Sequence, residues 1–139
     1  MMNMPVYFKE FIYSTREHLE LVDITEQVIA FVGECNIESG ISLVNSPHST
    51  TAIIVNEHEG GLMRDILRKV QEEFPKGVSW LHDHVDDNTD AHLASSFLGH
   101  SKTFPIKNGR LYRGTWQNIF LLELDGPRTR HIICEVMGE

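Results

Sequence analysis

Trp116-Gln117-Asn118-Ile119-Phe120-Leu121-Leu122-Glu123-Leu124, then Asp125-Gly126-Pro127, then Arg128-Thr129-Arg130-His131-Ile132-Ile133-Cys134-Glu135-Val136, carries the pattern on which the architecture turns. Two apolar, β-rich runs flank a Gly-Pro turn, so Trp116 to Leu124 and Thr129 to Val136 read as strands. Side chains alternate along a strand. Gln117, Glu123 and Asp125 therefore share parity with Ile119 and Leu121, while Trp116, Asn118, Phe120, Leu122 and Leu124 take the other face. Glu123 and Asp125 are expected side by side at the strand end. Arg128 and Arg130 share a parity of their own beyond the turn.

Working outward, Lys102 to Ile106 and Leu111 to Tyr112 read as strands around a turn at Asn108-Gly109. Upstream, Asn88 or Thr89 to Leu98 reads as a short helix closed by Gly99, and Pro75 to Asp87 as irregular chain. Leu62 to Phe74 is a helix with Leu62, Ile66, Leu67 and Val70 on its apolar face. Ile41 to Val44 and Thr51 to Val55 are strands broken at Ser46-Pro47-His48-Ser49, because Pro47 cannot donate to a ladder. Ile24, Val28, Phe31, Val32 and Cys35 recur at helical spacing behind an N-cap at Asp23 or Thr25, and Met4 to Thr15 and His18 to Val22 complete the strands. Strands arrive in pairs between helices. That predicts an α+β fold with mostly antiparallel pairing, not a doubly wound parallel sheet.

A length of 139 residues predicts one domain, residues 1–139. The net charge of −8 argues against nucleic acid or an anionic membrane as the main partner. A local Arg cluster can still act against that global field, so a phosphorylated small molecule remains open. No run approaches the roughly 18 apolar residues of a spanning helix, and Met1 to Glu10 lacks the basic-then-apolar order of a secretory leader. Cys35 and Cys134 lack CxxC spacing and sit in apolar stretches, so they read as buried free thiols of a cytoplasmic protein.

The compositional excess is eight histidines. Trp80 to His92 packs three imidazoles and four carboxylates into thirteen residues. With residues 82–84 extended, His82 and His84 would project to one side. His92 lies in the following helix, off the face of Leu93 and Phe97, and His48 sits at the break between two strands. Three imidazoles plus a water or substrate oxygen make a common catalytic zinc arrangement, with nearby Asp side chains taking the free ring N–H. An acidic surface loop is the plainer reading, and spacing alone leaves both open. His18, His58, His100 and His131 read as ordinary surface or strand histidines.

The acid–Arg strand end is a second constellation. Arg128 and Arg130 could offer two guanidinium forks to a phosphate, or simply close a carboxylate–Arg salt bridge across the turn. Ser49 and Thr50 could donate hydroxyls to an anion, and Glu57 could serve as a general base or cap a turn.

The chain resembles the YjbQ-like family, often described as secondary thiamine-phosphate synthase. The resemblance is carried in order by Pro47-His48-Ser49-Thr50-Thr51-Ala52, Asn56-Glu57, Trp80-Leu81-His82, Asn88 to His92-Leu93, Gly109-Arg110-Leu111, Gly114-Thr115-Trp116-Gln117 and Asp125-Gly126-Pro127-Arg128. Ser49 stands where Thr is usual and Trp80 where Tyr is common; His84 matches no clear family position. The resemblance implies two packed sheets with helices outside, a homotrimer, and a divalent metal, most often zinc, in a cleft that a neighbouring subunit can complete. It implies His48, His82 and His92 as metal ligands. Glu123, Asp125 and Glu57 are then the candidate catalytic residues, and Ser49, Thr50, Gln117, Arg128 and Arg130 the candidate substrate contacts. The implied activity joins a hydroxymethylpyrimidine diphosphate to a thiazole phosphate with loss of pyrophosphate. A metal-dependent phosphohydrolase and a non-catalytic metal- or ligand-binding trimer are the alternatives.

Overall fold

In the computed structural model, residues 3–139 are described. Met1 and Met2, where the stretch read as lacking a leader begins, lie outside the described residues. The elements are β1 (Val6–Ser14), β2 (Glu20–Asp23), α1 (Thr25–Glu34), β3 (Ser39–Asn45), β4 (Thr51–Asn56), α2 (Gly60–Glu73), a 3-10 turn (Leu81–His84), α3 (Thr89–Leu98), β5 (Ser101–Lys107), β6 (Arg110–Leu111), β7 (Asn118–Glu123) and β8 (Thr129–Gly138). Helix α2 starts ahead of the expected Leu62 because Glu59 accepts hydrogen bonds from the N–H groups of Gly61 and Leu62, at 2.9 and 2.6 Å. These are donors that a helix start leaves unpaired.

The extended reading of residues 82–84 is corrected. The Asp83 and Val85 N–H groups close short turns on the carbonyls of Trp80 and His82, and the Asp83 carboxylate accepts from the Thr89 hydroxyl at 2.7 Å. With about three residues per turn, His82 and His84 point in different directions.

The strands form two sheets, ordered β1-β8-β3-β5-β6 and β2-β7-β4, and every pairing is antiparallel. The fold is therefore α+β, two packed antiparallel sheets with helices. Strands β7 and β8 follow one another in the chain but do not pair: each is an interior strand of a different sheet, and Leu124 to Arg128 carries the chain across. The alternation explains this split. Ile119 and Leu121 are buried on one face of β7, and Phe120, Leu122 and Leu124 on the other. A strand apolar on both faces needs cover on both sides. Strand β8 buries Ile132, Cys134 and Val136 but leaves His131, Ile133 and Glu135 only half-buried, so one covered face suffices.

Two cores result. The first lies between the sheets and takes Ile24, Val28, Phe31 and Val32 of the α1 segment; the second joins Ala52, Phe120 and Leu122 of the smaller sheet to Val70 of α2 and Ala94 of α3. Full burial of a side chain such as Phe120 contributes about 1.5–3 kcal/mol. Close approach of β3 and β8 requires glycine at position 40, where a Cβ would lie 2.1 Å from the Met137 carbonyl oxygen. The outer face of the larger sheet is uncovered in the single chain and exposes Val6, Phe8, Ile12, Ile41 and Met137.

Candidate functional site

The break predicted at Pro47 places His48 in the loop between β3 and β4. Ser46 pins the loop's start, its N–H donating to the His100 carbonyl at 2.8 Å and its hydroxyl meeting that of Thr51 at 2.5 Å. The His48 ring rests on the peptide of His131: the His131 N–H donates to Nε2 at 3.0 Å, and the His131 carbonyl oxygen lies 3.2 Å from the same nitrogen. Burial first, and then the positive Arg130 nearby, push the His48 pKa below the usual imidazole value. Both causes favour the neutral ring, the state in which imidazole ligates metal or accepts a proton.

Beneath this loop lies an ion pair. Glu123 points between the sheets and is 0% exposed, and Arg130 comes from the inner face of β8 at 4%. Arg130 Nε and Nη2 donate to Glu123 Oε1 and Oε2 at 2.8 and 2.5 Å. Nη2 also donates to the Thr50 hydroxyl and carbonyl, at 2.9 and 3.2 Å. The Thr15 hydroxyl and the Asp125 N–H complete the carboxylate's partners at 2.7 and 3.1 Å. Burial works to raise the Glu123 pKa, but the hydrogen bonds from Arg130, Thr15 and Asp125 outweigh it and hold the carboxyl below its usual range.

Asp125 faces elsewhere. It accepts from Asn88 Nδ2 and Arg128 Nη2, both at 3.0 Å, and His18 Nδ1 stands 4.0 Å away. Burial pulls its pKa up, while Asn88 and Arg128 bring it down further. The expected side-by-side carboxylates thus divide: Glu123 is sealed inside and Asp125 is half-buried under Asn88 and Arg128. The expected double fork divides too. Arg130 is committed to Glu123 and Thr50, and Arg128 remains exposed beside Asp125. Of the two readings offered by the sequence, the carboxylate–Arg bridge is the geometry present, and one of its two pairs is fully buried.

Asn88 leads into α3, and His92 follows one helical turn later on the same side. His48, Ser49 and His92 line a single cleft of about 580 Å³ together with Ser95, Ser96 and His100. His82 lies on the exposed 3-10 turn, with its ring edge-on to His92 at 4.9 Å between centroids. The donor chemistry suits zinc, but the donors are spread out. Among the described residues, no three His, Cys, Asp or Glu side chains converge closely enough to hold a metal ion.

Glu57 and Gln117 lie apart from this group. Thr51 pairs with Glu123 and Asn56 with Asn118, so both residues sit one strand length away, roughly 17 Å. There Gln117 Oε1 accepts from the Gly114 N–H at 2.7 Å, and Arg113 Nη1 donates to the Gln117 carbonyl at 2.6 Å. The same end holds a network that sequence reading passed over. Asp23 accepts from His58 Nδ1 at 2.6 Å, from Asn118 Nδ2 at 3.0 Å and from the Thr25 hydroxyl at 2.5 Å. His131 was read as ordinary, yet its peptide supports His48 and its ring contacts Glu10. Backbone support leaves no mark on residue type, so no sequence signal pointed to it.

Residues 9–139 match the family model described as "UPF0047 protein YjbQ-like". The chain belongs to the YjbQ-like family. It is 44% identical over 130 residues to a UPF0047 protein of Archaeoglobus fulgidus, covering 92% of this chain and 99% of the relative. It is 41% identical to the UPF0047 protein YugU of Bacillus subtilis, covering 89% and 94%. Among solved structures it is similar to a YbjQ-like protein of unknown function from Sulfolobus solfataricus, with a TM-score of 0.97, 53% identity, and coverage of 99% of this chain and 100% of that one. A hypothetical protein from Aeropyrum pernix has a TM-score of 0.93 and 37% identity, covering 96% and 99%. The sheet pair and the end of β7 described above are thus those of a YjbQ-like protein. No helix is long and apolar enough to cross a membrane among the described residues.

Proposed function

We propose that the cleft between His48 and His92 is the active site of a metal-dependent enzyme acting on a phosphorylated small molecule. The observation that carries this reading is the backbone-seated His48 facing the same cleft as His92, with His82 against the His92 ring. His48, His92 and a repositioned His82 would hold a divalent metal, most simply zinc. Such an ion, when bound, would supply charge neutralisation at a phosphate oxygen. Arg128, the exposed guanidinium of the strand end, holds the substrate phosphate, and Asp125 accepts or orients a proton. Ser49, at the cleft wall, donates to the anion. The family resemblance supports thiamine-phosphate formation from a pyrimidine diphosphate and a thiazole phosphate as the activity to test.

Glu57 and Gln117 join this site through a neighbouring copy. A homotrimer in which the apolar outer sheet face is covered is the assembly that supports this. The buried free thiols of Cys35 and Cys134 suit a reducing, cytoplasmic compartment. The test is metal analysis of untagged protein, light scattering for mass, and incubation with the two phosphorylated substrates. Metal-dependent coupling that is lost in His48→Ala and His92→Ala supports the reading; coupling that survives both substitutions sinks it. Phosphate release from unrelated esters without coupling would favour a phosphohydrolase.

A further inference from the structure

We propose that the buried Glu123–Arg130 pair is the seat that positions His48, and that neither side chain touches substrate. The inference deepens the reading of His48 as a working histidine and rests on it. The guanidinium reaches three chain segments at once. It is clamped to β7 through both oxygens of Glu123, it belongs to β8, and it holds the His48 loop through the Thr50 hydroxyl and carbonyl. The residue after Arg130 provides the peptide on which the His48 ring rests. Fixing Arg130 therefore fixes both the loop that carries His48 and the surface against which its ring lies.

Physical grounds set Arg130 apart from a clamp for a mobile ligand. Its Nε and Nη2 are committed to Glu123 and Thr50, and withdrawing it would leave the buried Glu123 carboxylate with only the Thr15 hydroxyl and the Asp125 N–H as partners and no countercharge. Arg128 is free of that constraint. The geometry also divides labour between the two ring nitrogens of His48. Nε2 faces both the N–H donor and the carbonyl acceptor of one residue, His131, so either neutral tautomer is accommodated without moving the ring. When Nδ1 carries the proton, Nε2 accepts from the His131 N–H. When Nδ1 offers its lone pair to the cleft, Nε2–H donates to the His131 carbonyl. Such fixing of a ring by backbone is how protein ligands to metals are commonly oriented.

The test uses the full chain in three forms: wild type, Arg130→Lys, and the double variant Glu123→Leu/Arg130→Met. The double variant removes both charges and leaves none buried and unpaired; Arg130→Lys keeps the charge but loses the fork and serves if the double variant does not fold. Three readouts are taken: amide exchange at His131 and residues 46–51, the tautomer of His48 by long-range nitrogen NMR, and binding of zinc alone and of inorganic pyrophosphate alone. The expected result is exchange at least ~10-fold faster in the loop, a His48 tautomer ratio changed from that of wild type, zinc affinity reduced about 10–100-fold, and pyrophosphate binding unchanged. Loss of pyrophosphate binding with loop protection and tautomer intact would overturn the proposal and make Arg130 a substrate contact. If wild type binds no zinc, the metal reading fails, while exchange and tautomer still decide whether the pair seats His48.

Discussion

Strand β7 ends in a carboxylate network on each side, and the two are built differently. At the Glu123 end the acid is sealed between the sheets, with a bidentate Arg and a Thr hydroxyl as partners. At the Asn118 end, Asp23 is near the surface and its partner His58 is half exposed, with 51% of its side chain open to solvent. Removing two charges from water costs more than their attraction returns unless every lone pair is used. A pair as buried as Glu123–Arg130 therefore makes a weak argument for stability and a stronger one for fixing a unique geometry. Solvent screens Asp23–His58, so it can make and break its contacts cheaply. The buried end suits a fixed site; the exposed end suits adjustable contact.

The contrast breaks most sharply with Arg130→Met, which strands Glu123. We expect a loss of about 3–5 kcal/mol, read from the urea midpoint, whereas a loss near zero would mean that Glu123 finds water. Next comes the crossing between the sheets. A Cβ on Gly126 would lie 2.2 Å from the Glu17 carbonyl oxygen and 2.8 Å from Glu123 Cγ, so Gly126→Ala should cost about 1–3 kcal/mol and disturb the buried end only.

Acid should probe the buried end in two stages. The His48 pKa lies below its unfolded value, chiefly through burial, so the unfolded chain binds the extra proton and stability falls as pH drops below about 6.5. Glu123 is also lowered, its hydrogen bonds outweighing burial. Its contribution is complete above about pH 4.5 and is lost as pH falls through its folded value. His48→Gln should erase the first limb and keep the second in pH-dependent thermal melts. The smallest effect is expected at the exposed end: His58→Ala should cost less than about 1 kcal/mol, shrinking further in high salt. A larger loss would show that the two ends are more alike than their exposure implies.

Much of the β7 end was legible because strand parity is local. The shared face of Ile119, Leu121 and Glu123 follows from alternation, and the Pro47 break placed His48 in a loop. What parity could not say is which sheet each strand joins. The separation of β7 from β8 depends on β1, β3 and β4, which lie far away in the chain. Thr15, 108 residues from the carboxylate it meets, was invisible for the same reason. The 3-10 turn was missed because it depends on Asp83 finding Thr89, a local hydroxyl contact with no periodic signature. Parity put Gln117 on the same face of the strand as Glu123 but not at the same end, and antiparallel register puts both Gln117 and Glu57 a strand length away.

The pairing of Val6 with Met137 has a consequence for synthesis. Strand β1 is an edge strand whose neighbour is β8 alone, so its backbone donors and acceptors must wait for their partner until nearly the whole domain has been translated. The smaller sheet needs only β2, β4 and β7 and can close first. Completion of the larger sheet is then the late, entropically demanding step set by long loop closure. A ribosome stalled before β8 would display an unpaired apolar strand at its exit, the state in which this chain is most open to mispairing with its own copies.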